Sequence, residues 1–353
     1  MSLAELALED VRCLRRAELH FHPGQNLIWG DNASGKTSLL EAIFLLGRGR
    51  SFRTRSSERL IRHGEPRLRV VGKTVGPPPE PIGVEVSRQD GTVAKVRGAF
   101  VSSLAELSRA FAVQVIEPGA HKLIEEGGQR RRRWMDWAVF HVEPGFIDVW
   151  SRYARALKQR NAALRSMPDQ AAVWDAEVAR QGETIANLRR DFIERLQPHW
   201  VLAVRELTGL EVELHYARGW AADLSLAEAL VASRERDAAR GMTHAGPHRA
   251  DVVVRLERGL ARETLSRGQQ KLVAAAMTLS QLSLIRDLTG TLPTLLLDDP
   301  AAELDRERLA RFVGRVRELQ CQLVVTSLSP EVSLFGVPDR VFHVEQGGVA
   351  QSP

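Results

Sequence analysis

The chain has 353 residues, 44% hydrophobic and 26% charged, a composition that fits one large or two smaller folded domains and excludes wholesale disorder and fibrous repeats. Its net charge of +5, from 49 basic against 44 acidic residues, is mild as a total, so any charge that recruits a partner must be local. The longest uncharged stretch, Leu272 to Ile285, is too short and too polar for a bilayer, the opening MSLAELALED lacks the basic start and apolar run of a secretory signal, and Cys13 and Cys321 stand 308 positions apart without a CxxC pair. A cytoplasmic protein in a reduced compartment is expected, with no membrane span and no cysteine-based zinc site.

From the N-terminus, the first segment that carries chemistry is QNLIWG, Gln25 to Gly30, a short apolar run ending in glycine. In the following DNASGKTSLLEAIFLL, Leu39, Leu40, Ile43, Phe44 and Leu46 suit a helix. Strand, loop and helix therefore follow in order, and Gly30, Gly35, Lys36 and Thr37 match G-x-x-x-x-G-K-[ST], the phosphate-binding P-loop. The predicted nucleotide site is the whole loop: Gly30, Asp31, Asn32, Ala33, Ser34, Gly35, Lys36, Thr37 and Ser38. Its backbone N–H groups would wrap the phosphates of ATP, Lys36 would reach the β and γ phosphates as a catalytic residue, and Thr37 would offer its hydroxyl to Mg2+.

Immediately downstream, Arg48 to Lys73 holds nine basic residues against Glu58 and Glu65, so this segment alone carries +7. Such a local footprint suits a phosphate-rich partner, a nucleic acid or a nucleotide phosphate, with Arg48, Arg50, Arg53, Arg55 and Arg62 as the expected contacts, to DNA if the partner is nucleic acid. Next comes a long gap before the second nucleotide motif, read as an insert over 127–240. Two helices are predicted inside it, Pro144 to Ser166 and Asp169 to Leu196, paired as an antiparallel hairpin. In the second, Trp174, Val178, Gln181, Ile185, Leu188, Phe192 and Leu196 recur at spacings of three and four, a stripe that reads as internal packing. With 18 basic and 17 acidic residues over Glu126 to Arg240 the insert is not strongly charged, apart from Arg130 to Arg133, which reads as a solvated or phosphate-facing helix start. The tryptophans are expected in the core or between helices and not as platforms for bases.

The turn GPHR, Gly246 to Arg249, leaves two readings open, a rigid turn before the strand Val252 to Leu256 or a nucleotide or DNA contact through His248 or Arg249. LSRGQQK, Leu265 to Lys271, then precedes an apolar helical pattern, a second anion site with Ser266 as hydroxyl donor. Thr294 to Leu297 is an apolar strand that delivers Asp298 and Asp299 to a sheet edge: Asp298 as a ligand of Mg2+, Asp299 as the catalytic group that orients or deprotonates the attacking water.

Together these motifs resemble the ATP-binding-cassette heads, in which LSGGQ caps the γ phosphate of ATP held by the opposite subunit. Ser266, Arg267, Gly268 and Gln269 would act in that way in trans, and PAAELD, with Glu303, Leu304 and Asp305, would be the D-loop. Arg267 replaces the usual glycine, Asp299 the usual glutamate, and CQLVVTS ends in Thr326 and Ser327 where a transporter cassette has its switch histidine. The strings GRSFRT, RRRRWMDWAVFHVEPGF, LKQRNAALR, GPHRADV and LSRGQQK in this order resemble the RecF family of bacterial recombination mediators along nearly the whole chain.

The resemblance implies an α/β fold, an ABC-type (SMC/Rad50-like) P-loop ATPase head with an inserted short α-helical arm domain. It divides the chain into 1–126 and 241–353 as the head and 127–240 as the arm. It further implies a slow, DNA-stimulated ATPase that uses ATP and Mg2+, an ATP-dependent homodimer on double-stranded DNA and junctions with single strands, and partnership with RecR and RecO in loading RecA for gap repair and the SOS response. The alternative is a generic ABC-type ATPase subunit of another DNA-processing or transport complex.

Overall fold

The computed structural model describes residues 2–76, 79–301, 304–330 and 335–351. Packing divides the chain into two compact units, Met1–Ala120 with Gly290–Pro353 and His121–Thr289.

The first unit is built on two six-stranded sheets. In one, strands Gln25–Trp29, Val113–Ile116, Thr294–Leu297, Leu323–Ser327 and Arg340–Glu345 run parallel, with Gly348–Gln351 added antiparallel at the edge. Parallel strands covered on both faces are apolar throughout, and Thr294–Leu297 and Leu323–Ser327 are buried at every residue. The other sheet is an antiparallel meander that starts with the hairpin Leu3–Val11 and Leu14–His20 and continues through Arg67–Thr74, Glu80–Ser87, Gly91–Val96 and Ala99–Phe100. The helix Lys36–Arg48 is buried almost all round, and its Leu39, Ile43 and Leu46 share one core with Leu6, Val70 and Val84 of the meander and Ile28, Leu296 and Val324 of the parallel sheet. Close burial of this kind requires apolar residues on every face of the helix, which IFLLG supplies.

The second unit is mainly helical. Helix Phe146–Ser166 matches its expected span closely, whereas the second arm helix begins at Asp175 and continues to Thr208, 34 residues or about 51 Å. Pro168 opens a short 3-10 turn over Pro168–Trp174, which delays the start. Beyond Leu196 the apolar period persists through Trp200, Ala203, Val204 and Leu207, all buried, so packing carries the helix through Pro198 despite the lost hydrogen bond. The predicted stripe is packed inward, with Val178, Ile185, Phe192 and Leu196 buried. A small sheet of Glu213–Ala217, Asp251–Leu256 and Gly259–Leu260 and the helix Arg267–Thr289 complete the unit. Motif order predicted a division at 127 and 240, but packing groups 121–289 together. The reason is that Arg267–Thr289 is buried along most of its length against helix Asp175–Thr208.

Buried arginines tie this unit together. Arg131 bonds Asp251 through two nitrogens at 2.8 and 2.9 Å and also donates to the carbonyls of Leu123, Ile124 and Glu126, so this member of the arginine run is structural and not phosphate-facing. Arg160, fully buried, donates to Asp175 at 2.7 Å, Asp237 at 2.8 Å and Thr243 Oγ1 at 2.8 Å.

Candidate functional site

The parallel sheet of the first unit brings the P-loop and the paired carboxylates together. Strand Gln25–Trp29 is two strands from Thr294–Leu297, with Leu323–Ser327 between them, so the loop after the first and the carboxylates after the second emerge at the same sheet edge. Gly30 has φ 151° and Gly35 φ 124°, in the region that favours glycine, and a Cβ on Gly30 would lie 2.1 Å from the Val344 carbonyl oxygen. The loop therefore closes only with glycine at its start. At its end, the helix Lys36–Arg48 has neither a side-chain cap nor an acidic residue in its first turn, which leaves N–H groups and the positive helix end for an anion.

Lys36 arches back over the loop and donates to the carbonyls of Gly30 at 2.7 Å and Asp31 at 2.8 Å. Burial draws it below the ordinary lysine range, opposed by Asp299, Asp298 and Asp31. Thr37 Oγ1 lies 3.0 and 3.1 Å from the two oxygens of Asp298. A hydroxyl and a carboxylate meeting at this distance form a hard oxygen donor pair suited to Mg2+. Asp299 follows in a left-handed conformation, φ 47°, that turns the chain sharply after the strand. Burial, aided by Asp298 and opposed by Lys36, raises its carboxyl above the ordinary aspartate range.

Sequence reasoning noted Thr326 only as a departure from the switch histidine, yet it holds the Asp298 carboxylate and the Asp299 backbone. Its Oγ1 donates to Asp298 Oδ1 at 3.1 Å and accepts from the Asp299 backbone N–H at 2.8 Å. The signal was present, a hydroxyl residue ending the neighbouring strand, but only the strand pairing of Leu297 with Val325 shows what it faces. Glu41 was also missed: buried within the P-loop helix, it accepts from Arg12 and from Ser51 Oγ at 2.5 Å, and Ser51 in turn caps the N–H groups of Arg53 and Thr54.

That lock shapes the basic segment. Arg53 and Arg55 are exposed and Arg50 and Arg62 half-buried. Arg48 corrects the expectation: it is 9% exposed, its guanidinium lies over Phe44, and burial lowers it well below the ordinary arginine range, so it is not a surface contact for DNA. The reason is that Arg48 is the last residue of a helix buried on all sides. Arg67 and Arg69 share Glu85 and Lys73 pairs with Glu5, so two carboxylates offset part of the segment's charge.

In the second unit Ser266 precedes the helix Arg267–Thr289 and closes a reciprocal cap with Gln269, Ser266 N–H to Gln269 Oε1 at 3.0 Å and Gln269 N–H to Ser266 Oγ at 3.3 Å. Ser266 and Arg267 are exposed, and a Cβ on Gly268 would meet nothing within 4 Å, so the signature faces open space. Asp305 accepts from the Arg308 N–H at 2.9 Å and caps the helix Arg306–Glu318, while Glu303 lies outside the described residues. His343 stacks on Trp29 at 3.9 Å.

His248 is fixed in the GPHR turn, with Nδ1 2.6 Å from the Tyr153 hydroxyl and Nε2 3.0 Å from the Thr243 carbonyl. The neutral ring satisfies both, Nε2–H donating and Nδ1 accepting, and burial lowers its pKa to about 4. A lowered histidine favours the fold above its unfolded pKa near 6.5 and loses that contribution as pH falls toward 4. About 3 kcal/mol should therefore be lost in that window. Denaturant midpoints of wild type and His248→Gln compared at pH 7.5 and 4.5 test this; an equal acid loss in both would remove His248 as the cause.

Comparison with known proteins gives consistent matches. The family model described as "RecF/RecN/SMC N terminal domain" matches residues 2–349. "DNA replication and repair protein RecF" of Stenotrophomonas maltophilia is 39% identical over 366 residues, covering all of both chains. The Pseudomonas aeruginosa protein of the same name is 38% identical, covering 100% of this chain and 98% of its own. Among solved structures, "Structure of the recombination mediator protein RecF-ATP in RecFOR pathway" superposes with a TM-score of 0.90 at 27% identity, covering 100% of this chain and 98% of that one. An SMC head bound to the C-winged helix domain of ScpA, at TM-score 0.61 and 15% identity, shares the fold.

Proposed function

We propose, because the chain belongs to the RecF family within the wider RecF/RecN/SMC group, that it is an ATP-operated clamp on DNA. As a RecF it is a DNA replication and repair protein with an ABC-type ATPase head. The finer reading is that two copies enclose two ATP molecules and hold duplex DNA near junctions with single strands. RecR and RecO would then join it in the cytoplasm to promote RecA loading. The observation that carries this is the Thr37–Asp298 pair beside Lys36, because a scaffold without nucleotide chemistry has no use for a hydroxyl–carboxylate pair at a P-loop.

In each site, the loop from Gly30 to Ser38 would bind the phosphates and Lys36 would leave the Gly30 and Asp31 carbonyls for them. Thr37 and Asp298 would hold Mg2+, which neutralises charge on the β and γ phosphates when bound. Asp299 would orient the water and take its proton. Ser266, Arg267, Gly268 and Gln269 of a second copy, with the positive end of helix Arg267–Thr289 behind them, would cap the γ phosphate, so one chain holds half of each site. The shared γ phosphate gives ATP its differential affinity for the closed dimer, and hydrolysis removes it. Arg50, Arg53, Arg55 and Arg62 begin at the end of the P-loop helix and would meet DNA phosphates, predicting little sequence preference and strong salt dependence.

Sedimentation velocity with ATP and linear duplex DNA tests the clamp. Wild type should shift from monomer to dimer, and Lys36→Arg and Ser266→Arg should both abolish the shift. A dimer that persists with Ser266→Arg would remove the signature from the interface.

A further inference from the structure

Two successive helices and a distant turn meet at one cleft in the second unit, beside helix Asp175–Thr208. Helix Gly128–Val142 contributes Arg132 and Arg133, helix Phe146–Ser166 contributes Trp150, Lys158 and Arg165, and the turn Pro247–Arg249 contributes His248. The cleft has a volume of about 620 Å3, within the ~300–1,000 Å3 of small-ligand sites. Trp150, Leu157, Lys158 and Arg165 repeat at helical spacing and so share one face. Facing helices ordinarily bury apolar side chains along such a line.

The charge in the cleft is unbalanced. Its single lining acid, Asp136, is already bonded through both oxygens to Arg189, at 2.7 and 2.9 Å. Among the described residues, Arg132, Arg133, Lys158 and Arg165 form no ion pair with a carboxylate, and Arg133, Lys158 and Arg165 are exposed. Burial and the charge of Arg189 lower Arg132 below the ordinary arginine range, opposed by Asp251 and Asp136, and its Nη1 donates to the Ala250 carbonyl at 2.6 Å. The three exposed cations Arg133, Lys158 and Arg165 around one concavity repel one another and are stabilised by an anion placed among them. Tyr153 and the buried, neutral His248 add no charge of either sign.

Trp150 identifies the anion's other half. It is 41% exposed at the cleft, a departure from the core role expected for the tryptophans, whereas Trp134, Trp137 and Trp200 are all buried. An indole beside guanidinium groups matches a base attached to a phosphate, because stacking uses any base face and the guanidinium fork uses the phosphate oxygens. Bases inside a duplex are stacked on one another and offer Trp150 no face, so the occupant is unpaired. An acidic peptide would satisfy the charge and leave the indole without a planar partner.

We propose that the cleft lined by Arg132, Arg133, Lys158, Arg165 and Trp150 binds an unpaired nucleotide of a single strand, the basic groups holding its phosphate and Trp150 stacking on its base. This rests on the DNA-binding reading above and names the residues that would hold the unpaired strand of a junction.

The test measures binding of the full-length protein with ATP to a blunt duplex and to the same duplex with a thymidine overhang, for wild type, Arg133→Glu/Lys158→Glu and Trp150→Ala. Each altered side chain is exposed and outside the buried ion pairs, and far-ultraviolet circular dichroism checks folding. The overhang should strengthen wild-type binding, and both variants should lose about tenfold for the overhang substrate with little change for the blunt duplex. Equal losses on both substrates, or none on either, overturn the cleft assignment while leaving DNA binding intact. A wild type that binds neither substrate overturns the DNA reading itself. Two competition measurements separate other occupants: displacement of the overhang by millimolar thymidine monophosphate would assign the cleft to free nucleotide, and displacement by polyglutamate alone would assign it to an acidic protein segment, each overturning the strand proposal.

Discussion

Asp299→Asn is expected to slow ATP hydrolysis by about 10²–10⁴-fold while ATP still binds, the range typical for loss of a general base. Asparagine keeps the shape and the backbone N–H bond to Thr326 but cannot take a proton. Burial holds the Asp299 carboxyl above the ordinary aspartate range, which makes it a better base and places the acid side of the rate profile higher than an ordinary aspartate would. Activity should fall as pH drops through that raised value, and the fall should vanish from the residual rate of Asp299→Asn. Linkage has the opposite sign for stability: a carboxyl raised by folding disfavours the folded state once ionised, so the asparagine variant should melt no lower than wild type at pH 7. Single-turnover hydrolysis together with ATP-binding titration checks this. A variant that binds ATP and hydrolyses it at the wild-type rate would assign the base to another group.

Thr326→Val belongs to the same prediction, since Thr326 acts through Asp298 and Asp299. Losing its bond to Asp298 Oδ1 should raise the Mg2+ concentration needed for half-maximal hydrolysis, and Thr326→Ser should restore it. A purely structural threonine would change melting temperature without moving the Mg2+ dependence.

Arg160→Ala should destabilise the second unit by about 3–5 kcal/mol, the cost of breaking a buried ion pair from one side. Arg160 and Asp237 are both fully buried. Asp237 also accepts from Ser233 Oγ at 3.1 Å and from His244 Nδ1 at 2.8 Å, and Thr243 is held by Asn161 through both its N–H and its hydroxyl. Deleting the guanidinium strands a buried carboxylate and releases the segment that leads into the GPHR turn. Asp237→Asn keeps hydrogen bonding and should cost less. Chemical denaturation followed by tryptophan fluorescence measures both, and a loss below about 1 kcal/mol for Arg160→Ala would show that water reaches the site and replaces the pair.

Local chemistry was the most legible part. Strand Thr294–Leu297 and the P-loop helix were readable because a buried parallel strand and a P-loop each impose a residue pattern on a short contiguous segment. The second arm helix was misjudged at both ends because a proline near each end suggests a boundary. Pro168 acted as one and Pro198 did not, since Trp200 Nε1 bonds the Val212 carbonyl at 2.7 Å and anchors the continued helix from outside it.

The sequence by itself determined the local backbone of the glycine-rich loop and the carboxylate strand, the order of motifs and the family, because glycine spacing, a lysine at a helix start and two carboxylates after an apolar strand each constrain a local backbone. Tertiary structure alone decided which arginines are available. Arg48, Arg131 and Arg160 read as charge in the sequence but are buried or committed to buried partners, whereas Arg53 and Arg55 stay exposed. It also decided that Thr326 serves Asp298 and Asp299, and that the distant GPHR turn joins two successive helices to line one cleft. A side chain's charge is written in the sequence. Whether solvent, a carboxylate or a carbonyl faces that charge depends on which distant segment packs beside it, and local pattern carries no record of that.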